Sequence, residues 1–216
     1  LLVIDDVWRA GHLKPFLNPG KNAATLITTR NSGTLPPESL KQAVDAMRTN
    51  EALALLRYEL PDGADVAMQV LTARLGEWPL LLKLANGALR KRIERRESLK
   101  NALEWVEKAL TRRSFEALSD PDNKDQRHSA VSATLGVSLE LLDADQRAKY
   151  APLAIFPEDT EVPLAALEKL WTCDDFDVEE HCQRYADLSL LLAYDLSKRS
   201  IRLHDVVRTY LRDTHN

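Results

Sequence analysis

The chain opens on an unbroken apolar run, Leu1-Leu2-Val3-Ile4, that stops at the acidic pair Asp5-Asp6. Continuous hydrophobicity of this length suits a parallel strand covered on both faces. A polar stretch punctuated by Pro and Gly follows, from His12 to Asn22, and Ala23 to Thr28 forms a second strand-like run closed by Thr28-Thr29-Arg30-Asn31. Two such strands with a connection between them predict the remnant of an open parallel α/β sheet. Gly33 to Pro37 reads as a linker leading out of it.

From Glu38 to about Ser119 the periodicity turns helical. Asn50 is the expected N-cap of a helix over 51–60, ended by Pro61-Asp62-Gly63. Val66 to Leu75 predicts another, broken at Gly76, and Pro79 opens a third with Leu80, Leu81, Leu84 and Leu89 on its apolar side. Leu99 to Leu118 predicts a fourth, with Leu103, Val106 and Leu110 at helical spacing. Asp120 to Arg127 is polar and reads as a second linker. Beyond it, 131–142, 144–153, 163–171 and 178–188 read as helices. Leu190 to Tyr194 and Ser200 to Leu203 alternate like a hairpin around Ser197-Lys198-Arg199, and His204 to Leu211 closes as a helix. The pattern predicts a mostly α chain in three parts. These are the end of a nucleotide-binding α/β domain (1–37), a helical bundle (38–120) and a winged-helix subdomain (128–216).

Composition narrows the class. Of 216 residues, 44% are hydrophobic and 29% charged, which describes a folded globular chain rather than a disordered one. The net charge of −4 supplies no overall attraction to nucleic acid or an anionic membrane. Cys173 and Cys182 are too few for a disulfide framework or a four-ligand zinc site, so a reducing compartment, the cytoplasm, is the expected setting. No apolar run approaches the roughly 18 residues that a membrane span requires. The first residue is Leu rather than Met and already lies in a core-like strand, so the chain is expected to be a fragment of a longer protein.

Four short segments carry chemistry. Leu-Leu-Val-Ile-Asp-Asp-Val-Trp has the form of a Walker B strand, in which a carboxylate at the strand end holds Mg²⁺ beside the β- and γ-phosphates of a nucleotide. Asp5 fits that role, and Asp6 stands where an acid can orient the attacking water. An Asp ending a hydrophobic strand also serves turn formation, so the segment alone leaves both readings open. Arg30, at the end of the next run, places a guanidinium where it can report a γ-phosphate, or is simply a surface arginine. Gly76-Glu77-Trp78-Pro79 makes a tight turn into a helix. His204-Asp205 places an imidazole next to a helix start, where it can donate to an anion or be a satisfied structural residue.

The order of these segments resembles the NB-ARC family of signalling P-loop ATPases over essentially the whole chain. LLVIDDVW is similar to the family's Walker B strand, ATLITTRN to its sensor strand and LGEWPLLLKLANGALR to its GLPLA segment. YAPLAIFPEDTEVP is similar to its Phe-Pro-Glu-Asp segment, and RLHDVVRTYL to its MHD motif with Leu203 in place of Met. The resemblance implies that Asp5 is the Mg²⁺ carboxylate, Asp6 the water-orienting acid and Arg30 the γ-phosphate sensor. It implies that Pro79 packs near the adenine and that His204 contacts the ADP β-phosphate in a closed resting state, which ATP exchange opens for homo-oligomerisation. A slow ATPase is implied for the intact parent, with sensor and effector domains outside this chain.

Two departures stand out. Trp78 replaces a small apolar residue, and no GxxxxGK[ST] occurs in the 216 residues, so this chain by itself is expected to bind ADP, ATP and Mg²⁺ weakly or not at all. Two other classes compete. One is a winged-helix DNA-binding transcription regulator, against which stand Glu168, Asp174, Asp175, Asp177, Glu179, Glu180 and Asp187 in the region that would face phosphates. The other is an interaction scaffold that binds no nucleotide, against which stand the retained Asp5, Asp6, Arg30 and His204. No direct nucleic-acid or membrane partner is expected.

Overall fold

The computed structural model describes residues 1–18, 20, 22–29, 31–42, 44, 47–115, 117–119 and 123–215, the side chains of Lys124 and His215 excepted. The chain divides into two compact units, residues 1–45 and 46–216. In the first unit, β1 (Leu2–Ile4) and β2 (Thr25–Ile27) pair in parallel with Leu2 opposite Thr25, Val3 opposite Leu26 and Ile4 opposite Ile27. A short helix α1 (Ala10–Leu13) and a 3-10 turn (Lys14–Phe16) lie between them in sequence. The expected parallel pair is present, but burial on both faces is not. Val3 and Leu26, register partners on one face, are 55% and 54% exposed. Among the described residues the two strands pair only with each other, and a two-stranded ribbon leaves one face without a covering layer.

The second unit is helical and is built around one element. Helix α2 spans Thr49–Leu56, α3 Asp65–Arg74, α4 Pro79–Glu94 and α5 Leu99–Arg112. Helix α6 spans Lys124–Leu139 and α7 Ala144–Tyr150, followed by a 3-10 turn over Ala151–Ile155. Strand β3 (Val162–Pro163), helices α8 (Leu164–Trp171) and α9 (Asp175–Asp187), strands β4 (Ala193–Asp195) and β5 (Ser200–Arg202), and helix α10 (Asp205–His215) complete it. The three strands form an antiparallel sheet in the order β3-β5-β4, with Tyr194 opposite Ile201. The mostly helical architecture with a small parallel pair, and the hairpin after α9, agree with the sequence pattern.

Element ends differ for identifiable reasons. Helix α2 begins at Thr49, not after Asn50, because Glu51 turns back to accept the Arg48 amide at 3.1 Å. Helix α5 stops at Arg112 rather than Leu118; Ser114 takes the left-handed conformation (φ 56°), and the turned chain still buries Phe115 and Leu118. Helix α6 begins inside the expected second linker, because Asn123 caps it by accepting the amides of Asp125 and Gln126 at 3.0 and 3.1 Å. Helix α7 tightens to a 3-10 turn at Pro152, which has no amide to continue the α ladder.

Helix α4 is the centre of this unit. Leu80, Leu81, Leu82, Leu84, Ala85, Asn86, Gly87, Ala88 and Leu89 are all buried, so its amino-terminal half is covered nearly all round. Such a helix is apolar on most faces and carries small residues wherever backbone comes close. Gly87 is where it comes closest. A Cβ built there would lie 2.7 Å from the carbonyl carbon of Leu188 and 2.8 Å from its oxygen. The α4 backbone therefore rests directly on the end of α9. Gly87→Ala should lower the stability of residues 46–216 by about 1–3 kcal/mol, the usual cost of overpacking a core, even though alanine favours helix. Thermal unfolding of the purified variant checks this, and an unchanged or raised midpoint would contradict the close approach.

Candidate functional site

The two ends of the chemistry lie in different units, and each stands by itself. In the first, the carboxylates at the end of β1 are tied to the end of β2 by Thr28. The Thr28 amide donates to the Ile4 carbonyl at 3.0 Å, and the Asp6 amide donates to the Thr28 hydroxyl at 2.9 Å. The Thr28 hydroxyl itself donates to Asp5. Asp6 turns the chain in the left-handed conformation (φ 50°), which aspartate tolerates, and its carboxylate accepts the Trp8 indole N–H at 2.9 Å. Thr29 donates to the Val7 carbonyl at 2.6 Å. Both aspartates are exposed. Among the described residues no group of three or more His, Cys, Asp or Glu side chains could hold a metal ion by itself. A strand-end carboxylate fits a magnesium ion that takes its remaining ligands from water and phosphate oxygens. Arg30, the expected γ-phosphate sensor, lies outside the described residues.

In the second unit, two of the expected residues meet. Pro79 is the first residue of α4, where its missing amide costs nothing, and His204 stands just before α10. Both line one cavity of about 110 Å³, together with Leu80, Lys83 and the run Ser189–Leu192 that joins α9 to β4. The Gly87–Leu188 contact holds α4 against that run, and Ser189 turns into it with φ 56°. Leu203, at the Met position of the family motif, is buried in the core. The Val206 amide donates to His204 Nδ1 at 3.4 Å, a long bond that assigns Nδ1 as acceptor and leaves the ring proton on Nε2. Burial pushes the His204 pKa below its ordinary value; Asp205 opposes that shift and the nearby Lys83 ammonium adds to it. His204 is thus a neutral imidazole at pH 7 with an N–H to offer.

The flanking segments were legible only as signatures, and the structure supplies their work. Glu158, of the Phe-Pro-Glu-Asp segment, pairs with the buried Arg208 of α10, and Asp159 accepts from Arg202 of β5 at 3.0 Å. Both arginines flank His204 in sequence, so these acids anchor the segment that presents it. Trp78, the departure in the GLPLA-like segment, occupies the N-cap position of α4, and the Arg127 guanidinium lies 5.0 Å from its ring centre. Sequence reasoning missed Lys83 and Ser189 as cavity residues; the spacing of Lys83 one helical turn after Pro79 is the one signal that pointed to it. Cys182 is buried and its thiol is pushed up to about 12, so it is a core thiol and not a thiolate ligand.

No family model matches the chain. Its curated relatives include apoptotic protease-activating factor 1 of Danio rerio, 26% identical over 226 residues that span 99% of this chain and 17% of the relative. The Homo sapiens protein of the same name is 26% identical over 223 residues, with the same two coverages. Disease resistance protein ADR1 of Arabidopsis thaliana is 28% identical over 205 residues, 88% of this chain and 24% of the relative. Over most of its length the chain is similar to apoptotic protease-activating factors and to plant disease resistance proteins. It spans between about a sixth and a quarter of the length of these relatives. No helix among the described residues is long and apolar enough to cross a membrane.

The burial of His204 has a measurable consequence. Its pKa is lower in the folded protein than in the unfolded chain, which takes up the proton first as pH falls. Its contribution to stability is complete above the ordinary histidine value of 6.5 and is lost as pH drops through the depressed folded value. The unfolding midpoint of the wild type should therefore fall more steeply on acidification below 6.5 than that of His204→Gln, which keeps a polar side chain without the titration. Parallel pH profiles for the two proteins would show that the imidazole is not desolvated.

Proposed function

We propose that this chain is the regulatory portion of an ADP/ATP-operated signalling switch. Residues 1–37 are its metal-binding strand and sensor strand, 38–120 a helical subdomain and 128–216 a winged-helix subdomain. The observation that supports this reading best is the cavity that Pro79 and His204, far apart in sequence, both line. They are the two residues of this unit that the family resemblance ties to a nucleotide. A winged-helix reading of the last part is supported by the antiparallel hairpin of β4 and β5 placed between α9 and α10.

On this reading ADP, held through the His204 Nε2–H, stabilises a closed resting state, and exchange for ATP releases it and permits homo-oligomerisation. Asp5 holds Mg²⁺, which neutralises phosphate charge when bound, and Asp6 orients the attacking water. Arg30 senses the γ-phosphate, and slow hydrolysis resets the switch. The chain spans between about a sixth and a quarter of its relatives' length, so the assignment is to the switch and not to a sensor or effector.

His204→Ala in the full-length protein should weaken ADP binding by about 1.5–3 kcal/mol, roughly ten- to a hundred-fold, the worth of a hydrogen bond to a charged group. The same change should favour the oligomeric form. Calorimetric titration with ADP, read beside the sedimentation profile, tests it; an unchanged ADP affinity refutes the role given to His204.

A further inference from the structure

The cavity beside His204 has an electrostatic character of its own. Its eight lining residues are Pro79, Leu80, Lys83, Ser189, Leu190, Leu191, Leu192 and His204. Five are apolar aliphatic or proline side chains, one is a hydroxyl, and two are N–H donors; none is an acid. Ammonium and imidazole therefore line one small space with no carboxylate on its wall, an arrangement that suits an anion.

Lys83 is the unusual member. Elsewhere on α4 the basic side chains are paired: Arg90 with Glu59 at 2.7 Å, and Lys91 with Glu94 at 2.8 Å. Lys83 has no ion pair among the described residues, and its side chain is exposed at the point where the cavity meets a larger groove of about 860 Å³. It lies four residues after Pro79, on the same face of α4. Of the elements around His204, α10 brings Asp205, α4 brings Lys83 and the Ser189–Leu192 run brings no titratable side chain. Lys83 is close enough for its charge to be felt at the imidazole.

We propose that Lys83 is the second anion-holding group of this cavity, acting with the His204 N–H on the phosphate end of a nucleoside diphosphate. The inference rests on the nucleotide reading above and deepens it. Two donors from different elements, one on α4 and one before α10, make the cavity select for phosphate charge rather than for the nucleoside. Lys83 is thereby a specificity-determining residue that separates ADP from adenosine.

The test titrates ADP and adenosine into the full-length protein carrying Lys83→Gln, Lys83→Arg or His204→Gln. Lys83→Gln is expected to weaken ADP on the order of tenfold, the worth of one charge-assisted hydrogen bond, and to leave adenosine unchanged. Lys83→Arg is expected to keep most of the ADP affinity. The His204 titration followed by NMR without ligand should move upward in Lys83→Gln, because a neighbouring cation has been removed. Wild-type ADP affinity in Lys83→Gln beside a loss in His204→Gln would overturn the role of Lys83 and leave the nucleotide reading standing. Wild-type ADP affinity in both variants would overturn both. Equal losses of ADP and adenosine in Lys83→Gln would also overturn it, since they would report shape and not charge.

Discussion

The second unit depends on a helix that is surrounded. A helix covered on nearly every side cannot carry the polar stripe that an ordinary surface helix turns to water, and the first half of α4 carries almost none. Its two non-aliphatic buried residues both answer to the neighbours. The Asn86 amide donates to the Leu56 carbonyl at 2.9 Å and to the Tyr58 carbonyl at 2.7 Å, satisfying groups that the end of α2 leaves without intrahelical partners. Gly87 removes the one side chain that would hold α9 away. On another side the buried Ser138 hydroxyl of α6 donates to the Leu84 carbonyl at 3.3 Å. Helices α2, α6 and the end of α9 are therefore positioned by contacts with one element, and the cavity at its amino terminus inherits their placement.

The sequence made the helices legible and their ends much less so. Periodicity reports which side of a helix is apolar, and it found α4 and α5 with little ambiguity because Leu and Ala recur at three- and four-residue spacing. Ends are decided by single hydrogen bonds that periodicity does not see. Asn123 looked like linker because Asp, Pro and Asn cluster around it, yet its carboxamide starts α6. Ser114 ends α5 through one left-handed residue. The strand run at the start misled in another way: an apolar run predicts a strand that prefers burial, and exposure of Val3 and Leu26 depends on what else covers the sheet.

The site was legible in unequal parts. His204 and Pro79 were found as fragments of motifs whose order mattered, but their meeting in one cavity is a tertiary fact, fixed by the packing of α4 on the end of α9. Lys83 was invisible because a lysine on an amphipathic helix is ordinarily a solvated side chain; only the absence, among the described residues, of a partner acid distinguishes it from Arg90 and Lys91. Glu158 and Asp159 read as a family signature, whereas in the fold they clamp Arg208 and Arg202 on either side of the His204 turn. The Arg208 pair joins a buried guanidinium to a largely exposed carboxylate, so the acid keeps much of its hydration while the arginine does not stand uncompensated.

The chemistry of the cavity follows from how costly a buried charge is. A permanent cation in the place of His204, half-desolvated and beside Lys83, would be destabilising whenever no anion is present. A neutral imidazole avoids that cost and still offers an N–H, with its tautomer set by the Val206 amide on the other nitrogen. The permanent charge is carried instead by Lys83, whose long stem and exposed ammonium let it stay hydrated when the cavity is empty. A ligand can shift a conformational equilibrium only by the difference in its affinity for the two states. On the proposed reading, splitting the anion contacts between α4 and the segment before α10 places that difference where a change in the packing of the two would be felt first.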